Sequence, residues 1–307
     1  MEKPMALSDN ARGALLMMAS MAGFTINDTF MKSLSDHLPL FQLLFLRGVG
    51  TIIAITVIAK WLGLLHLRFP VADRKLILIR SIAEIGSTYF FMVALFHIPL
   101  ANVSAIFQAL PLAITLAGMV FLGEQVGWRR LIAILIGFGG VMLIIRPGGD
   151  GFSSYSLYAL ASVACVVVRD LVVRRMSDHV PSLVVALGAA VAVTVSSGLA
   201  SLTTEWVQPD AQDILKILGA LCFLVAAYLS SIATMRVGNL GFVAPFRYTG
   251  LLWALMLGLV IFGDWPDGLT LIGAMIIVAT GLFTLFRERM LAATQRRATA
   301  LAQSAAP

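Results

Sequence analysis

Ten apolar segments, each about the length that crosses a bilayer as a helix, take up most of this chain. They run over about 12–33, 40–59, 76–96, 101–122, 129–145, 154–175, 182–203, 214–235, 241–262 and 268–286. In hydrocarbon a backbone must satisfy its own polar groups, so such segments fold as helices. The loops between them are short and carry Pro39, Pro70, Pro99, Pro147, Pro181, Pro209 and Pro266, where helices stop. Hydrophobic residues make up 59% of the chain and charged residues 12%, against roughly 45–50% and about 25% in a soluble domain. No room is left for a soluble domain of ordinary size. The first segment is long enough to span and has no convincing cleavage site, so it reads as a retained helix. The fold class is therefore an all-α membrane protein with ten transmembrane helices.

The basic residues orient the bundle. With the N-terminus in the cytoplasm, 15 of the 22 Lys and Arg fall on the cytoplasmic side, three on the opposite side and four inside helices. Positive charge gathers on the inner side of short loops, which supports an N-in, C-in arrangement and a cell inner membrane, multi-pass location. The net charge of +6 is thus a matter of topology and implies no nucleic-acid partner. The last residues, 288–307, are small and polar with scattered Arg and read as a flexible cytoplasmic tail.

The chain also repeats itself. Ser35-Asp36-His37-Leu38-Pro39 recurs as Ser177-Asp178-His179-Val180-Pro181, 142 residues later. Asp28 and Lys32 recur at the same offset as Asp170 and Arg174. Phe121-Leu122-Gly123-Glu124 aligns with Ile261-Phe262-Gly263-Asp264 at an offset of 140. Each half holds five helices, an odd number, so the second half enters the membrane from the opposite side. Residues 10–146 and 150–287 are then two inverted five-helix repeats, the ground plan of many secondary transporters.

Ten helices, two five-helix repeats, a fourth helix ending in Gly123-Glu124, Asn27-Asp28 late in the first helix and a mid-membrane Arg47 in the second together resemble the drug/metabolite transporter superfamily, in its EamA branch. The resemblance covers about residues 10–290. It implies a helical basket around a central cavity that opens alternately to each side. It implies a small-molecule substrate and membrane lipid as partners, no cofactor, no ATPase subunit, and a chain that can work as a monomer. Export of an amino acid or related metabolite is the leading function so implied, with uptake of riboflavin or S-adenosylmethionine as the alternative. A membrane-embedded lipid-modifying enzyme is a remote third reading, since the acids are scattered over helices one, three and six.

Ionisable residues inside lipid cost about 2.5–3.5 kcal/mol each on insertion scales, so each needs a reason. Asp28 and Lys32, and likewise Asp170 and Arg174, are four apart and share a helix face. Each pair reads either as an ion pair locking a helix end or as a gate charge that re-pairs as the protein rocks. Arg47 lies about 12 Å into its helix, too deep to snorkel easily. It either receives a substrate anion or forms a buried pair with Asp28 or Glu84. Glu84 either carries a proton or neutralises Arg80 or Arg47. Gln108 lies on a stripe with Ser104, Pro111 and Thr115, and Arg247 follows Pro245; such matched polar and proline positions point to a cavity between the halves, or to glue between helices. Tyr89, Tyr228, Tyr248 and Trp253 are candidates to line a pocket for a planar ligand. The four histidines show no metal-ligand spacing, and Cys165 and Cys222 read as small buried hydrophobes.

Overall fold

The computed structural model describes residues 9–61, 71–124, 126–149, 152–173, 175, 182–237 and 240–304, and they are helical throughout with short connections. The helices are α1 (Asp9–Ser33), α2 (Leu40–Trp61), α3 (Val71–His97), α4 (Leu100–Phe107), α5 (Leu110–Leu122), α6 (Trp128–Ile145), α7 (Tyr155–Val173), α8 (Ser182–Ser201), α9 (Ala211–Val237), α10 (Leu240–Val243), α11 (Thr249–Leu257) and α12 (Gly268–Ser304). A 3₁₀ turn, Ala244–Tyr248, joins α10 to α11, and a π turn, Gly258–Phe262, follows α11. Among the described residues, eight helical stretches are long and apolar enough to cross a membrane. The first helix is not one of them. It is 25 residues long, but its C-terminal half carries Thr25, Asn27, Asp28, Thr29 and Lys32. A shorter apolar helix is described over Ala186–Ser201.

Two segments expected as single helices are broken. The fourth divides into α4 and α5 because Pro111 has no N–H to give the carbonyl of Phe107. The ninth divides around Pro245, where the chain winds more tightly over Ala244–Tyr248. Beyond residue 287, where the sequence reading places a tail, α12 continues as a helix to Ser304. Its Ala, Leu, Gln and Arg are strong helix formers, and no Gly or Pro interrupts them after Gly281 until Pro307.

The main packing partners are α1 with α9, α3 with α7, α6 with α12 and α2 with α8. Lipid gives little hydrophobic drive between helices, so close packing and buried hydrogen bonds hold them. Ser20 Oγ of α1 donates to Ala227 O of α9 at 2.9 Å. Ser162 Oγ of α7 donates to Ser87 O of α3 at 2.7 Å. Both serines are fully buried. They lie 142 residues apart and their acceptors 140 apart, the offsets of the sequence matches. Two helix ends repeat in the same way. Gly123 and Gly263 take φ of 70° and 68°, which costs glycine little. Glu124 N–H then bonds Gly118 O at 3.2 Å, and Asp264 N–H bonds Gly258 O at 3.0 Å.

One ion pair ties α6 to the start of α12. Arg146, in the left-handed conformation with φ 50° at the end of α6, donates to Asp267. That bond, then those from Thr270, lower the Asp267 carboxyl from 3.8 to about 2. A depressed carboxyl contributes stability above about pH 4 and loses it as pH falls through about 2. The Asp267 side chain is 53% exposed, so water screens the pair and its contribution is about 0–1 kcal/mol. Asp267→Asn should melt slightly below the wild type at pH 6, and the two melting curves should merge as pH approaches 2.

Candidate functional site

A cavity of about 490 Å³ lies between α2, α3, α7, α8 and α9, within the size range of small-molecule sites. Arg47, Arg80, Glu84, Arg169, Asp170 and Tyr228 supply its charged and aromatic lining. Ala186, Ala189 and Ala190 of α8 make the room opposite them. The lining uses the last halves of α7 and α9 and the stretches of α3 and α8 from within their first halves to just past their middles. The cavity therefore lies toward the end of the bundle where α7 and α9 finish.

The opposite end is closed by contacts between loops and helices. Gln42, fully buried, donates to Val207 O at 2.6 Å and accepts from Val207 N–H at 3.0 Å. His37 lies 3.9 Å from Asp213, and Phe45 meets the Trp206 ring edge-on at 5.9 Å.

Within the cavity the charges form a chain. Arg169 Nε donates to Asp170 Oδ1 at 2.9 Å, and its Nη1 reaches both oxygens of Glu84 at 3.4 Å. Arg80 Nη2 stands 3.9 Å from Glu84. Glu84 thus neutralises Arg80, as one sequence reading had it, but its closer partner is Arg169 and not Arg47. Arg47 stands apart. Its Nη1 donates to Asn27 Oδ1 at a long 3.4 Å, and its Nε is buried with no hydrogen-bond partner. No carboxylate comes within ion-pair distance of Arg47 among the described residues. Asp28 acts on it through space while accepting from Asn27 Nδ2 at 2.9 Å.

The expected Asp28–Lys32 pair does not form. Lys32 Nζ donates to Leu95 O and Ile98 O, each at 2.8 Å, and lies over the Phe262 ring at 5.6 Å. The carbonyls at the end of α3 are free acceptors, so they and not Asp28 take the ammonium. Asp170 likewise pairs with its neighbour Arg169, while Arg174 lies outside the described residues. In both halves the residue before the acid donates to it, at 2.9 Å each time.

The structure brings Arg47, Glu84, Asp170 and Tyr228 into one cavity and leaves the other described candidates outside it. The Tyr89 ring stacks on Phe41 at 5.8 Å. Gln108 occupies the α4–α5 break, facing Gly250 of α11. Arg247 is exposed on the 3₁₀ turn. Tyr248 is buried beside Gly281, its hydroxyl without a hydrogen-bond partner, and Trp253 is half-buried on α11. Arg80 and Arg169 are further charges inside apolar segments, and their presence in the lining follows from α3 packing against α7. Thr51, Thr88 and Thr194, also in the lining, carry no sequence signal of their own. No group of metal-ligating residues occurs among the described residues.

Residues 11–146 match the EamA-like transporter family. The S-adenosylmethionine uptake transporter of Rickettsia conorii is 24% identical over 92% of this chain and 96% of its own. The riboflavin transporter of Vibrio cholerae is 27% identical over 89% and 92%. The pseudopaline exporter CntI of Pseudomonas aeruginosa is 27% identical over 87% and 93%. A solved structure matches 91% of this chain and 98% of its own with a TM-score of 0.64 at 22% identity, which shows a shared fold. With the family match over its first half and these relatives along nearly its whole length, the chain is a multi-pass membrane protein similar to small-molecule transporters of the EamA-like family.

Proposed function

We propose that the protein carries a small organic metabolite across the bacterial inner membrane by alternating access, with the Arg47–Glu84–Asp170–Tyr228 cavity as its substrate site. The observation that carries this reading is a charged cavity between helices of both sequence halves, lying toward one end of the bundle and closed at the other. Two inverted repeats of five helices, 10–146 and 150–287, account for the paired serine bonds and the paired helix ends. With the N-terminus inside, the cavity lies toward the cytoplasmic side and the Gln42–Val207 clasp seals the outer side. In the alternate state the repeat counterparts of Arg169 and Asp170, which are Asn27 and Asp28, would exchange roles with them. The broken α4–α5 and α10–α11 segments stand at matching places in the halves, where such rocking needs a hinge.

Export of an amino acid or related metabolite is the leading direction, because a cavity on the cytoplasmic side is where an exporter loads. Uptake, of a compound such as riboflavin or S-adenosylmethionine, is the second reading, favoured by a relative named for S-adenosylmethionine uptake. Metabolites measured inside and outside cells with and without the gene decide between them. A compound enriched in the medium means export; one depleted from it means uptake; an unchanged profile overturns the transport reading. Gln42→Leu tests the outer seal. In a protein with Cys165 and Cys222 replaced and Thr51→Cys as reporter, it should speed labelling by a membrane-impermeant maleimide added outside. Unchanged labelling would count against the clasp.

A further inference from the structure

Resting on the transport reading, we propose that the cavity selects small organic solutes that carry a carboxylate or phosphate group, with Arg47 as the anchor for that group. Three guanidiniums line the cavity against two carboxylates. Both carboxylates are already engaged: Glu84 faces Arg169 with both oxygens and Arg80 with one, and Asp170 holds Arg169 Nε. The uncommitted cation is Arg47, which makes one long bond to a neutral amide and keeps a buried Nε without a partner. A buried donor left unmade is costly, and an arriving acceptor removes that cost. A guanidinium presents parallel N–H groups that a carboxylate or phosphate meets with two oxygens.

Asp28 acts on Arg47 through space without an ion pair at contact distance. It does so from behind Asn27, leaving the guanidinium open toward the cavity. A cationic substrate would meet three guanidiniums against two carboxylates already engaged, and an uncharged one would give Arg47 no charge-assisted pair. The second half adds no rival anchor: Ala189, the repeat counterpart of Arg47, lines the same cavity. The site is thus built for one anionic group at the α2 wall, with the rest of the solute against the alanines of α8.

The transported compound is identified from the metabolite comparison, and its uptake into proteoliposomes is then measured for the wild type, Arg47→Gln and Arg47→Lys. The compound should carry a carboxylate or phosphate group and no net positive charge at pH 7. Arg47→Gln should raise the half-saturating concentration about tenfold to hundredfold, the loss of a charge-assisted pair, and Arg47→Lys should fall between. Malonate at matched ionic strength against chloride should raise the melting temperature of the wild type and not of Arg47→Gln. Should Arg47→Gln fail size-exclusion chromatography, Arg47→Lys is read alone, since it keeps the charge and loses the fork. A transported cation, a solute with neither group, or an Arg47→Lys variant that binds as well as the wild type, overturns the anchor inference and leaves transport standing. No transported compound at all overturns the transport reading itself.

Discussion

Gly273→Ala should unfold at a clearly lower temperature than the wild type, while Gly139→Ala should not. At Gly273 an added Cβ would come 2.5 Å from Gly140 O and 2.8 Å from Ile144 Cγ1. The reciprocal addition at Gly140 would come 2.8 Å from Gly273 O. Here α6 and α12 touch backbone to backbone, and a carbonyl cannot swing aside as a side chain can. The helices must separate, and overpacking of this kind costs about 1–3 kcal/mol. Alanine returns up to about 1 kcal/mol of helix propensity over glycine, so the net loss is smaller at Gly273 than the clash alone. Gly139 lies beside Gly140 in sequence but is exposed, with nothing within 4 Å of an added Cβ. It gains the propensity without the clash. Thermal unfolding in detergent compares the two; equal melting temperatures would remove the claim that this crossing needs bare backbone.

The apolar segments were legible because lipid leaves few alternatives to helices, and the strings around Ser35 and Ser177 announced the repeat before any contact was known. What the sequence hid was partner choice. The four-residue spacing of Asp28 and Lys32 favours an ion pair on an isolated helix in water. In the bundle, Leu95 O and Ile98 O are nearer and lack partners of their own, so Lys32 goes to α3. Ser20 and Ser162 gave no signal, since a serine in an apolar segment is ordinarily a local back-bonder; only the packing of α1 on α9 and α7 on α3 makes them matched donors. The cavity was half legible. Arg47 stood out by depth, but Tyr89 and Trp253 were drawn in by residue type and Arg247 by its place after Pro245, and neither says which face of a helix meets the cavity. The breaks in the fourth and ninth segments show the same limit: Pro111 and Pro245 were visible, yet whether a proline bends a helix or ends it depends on its neighbours.

Glu84→Leu should be the most damaging single change in the cavity, lowering the melting temperature and abolishing flux together. The Glu84 side chain is 16% exposed and those of Arg80 and Arg169 are 14% and 27% exposed, so water screens these charges weakly. Removing the carboxylate takes from Arg80 and Arg169 the counter-ion they share. Breaking a buried pair from one side costs about 3–5 kcal/mol, mostly from the charge left behind. The companion change tests that cause. In Glu84→Leu with Arg169→Met, one stranded cation goes with the acid, Arg80 and Asp170 remain to balance, and part of the lost stability should return. Glu84→Gln separates charge from shape, since it keeps two polar atoms within reach of Arg169 but no negative charge. Its melting temperature should fall between the wild type and Glu84→Leu. If the double variant melts lower than Glu84→Leu by the full effect of Arg169→Met alone, the two residues are uncoupled and Glu84 is not the counter-ion. If instead Glu84→Gln melts with the wild type and flux loses its dependence on a proton gradient, Glu84 carries a proton and its pairing is incidental.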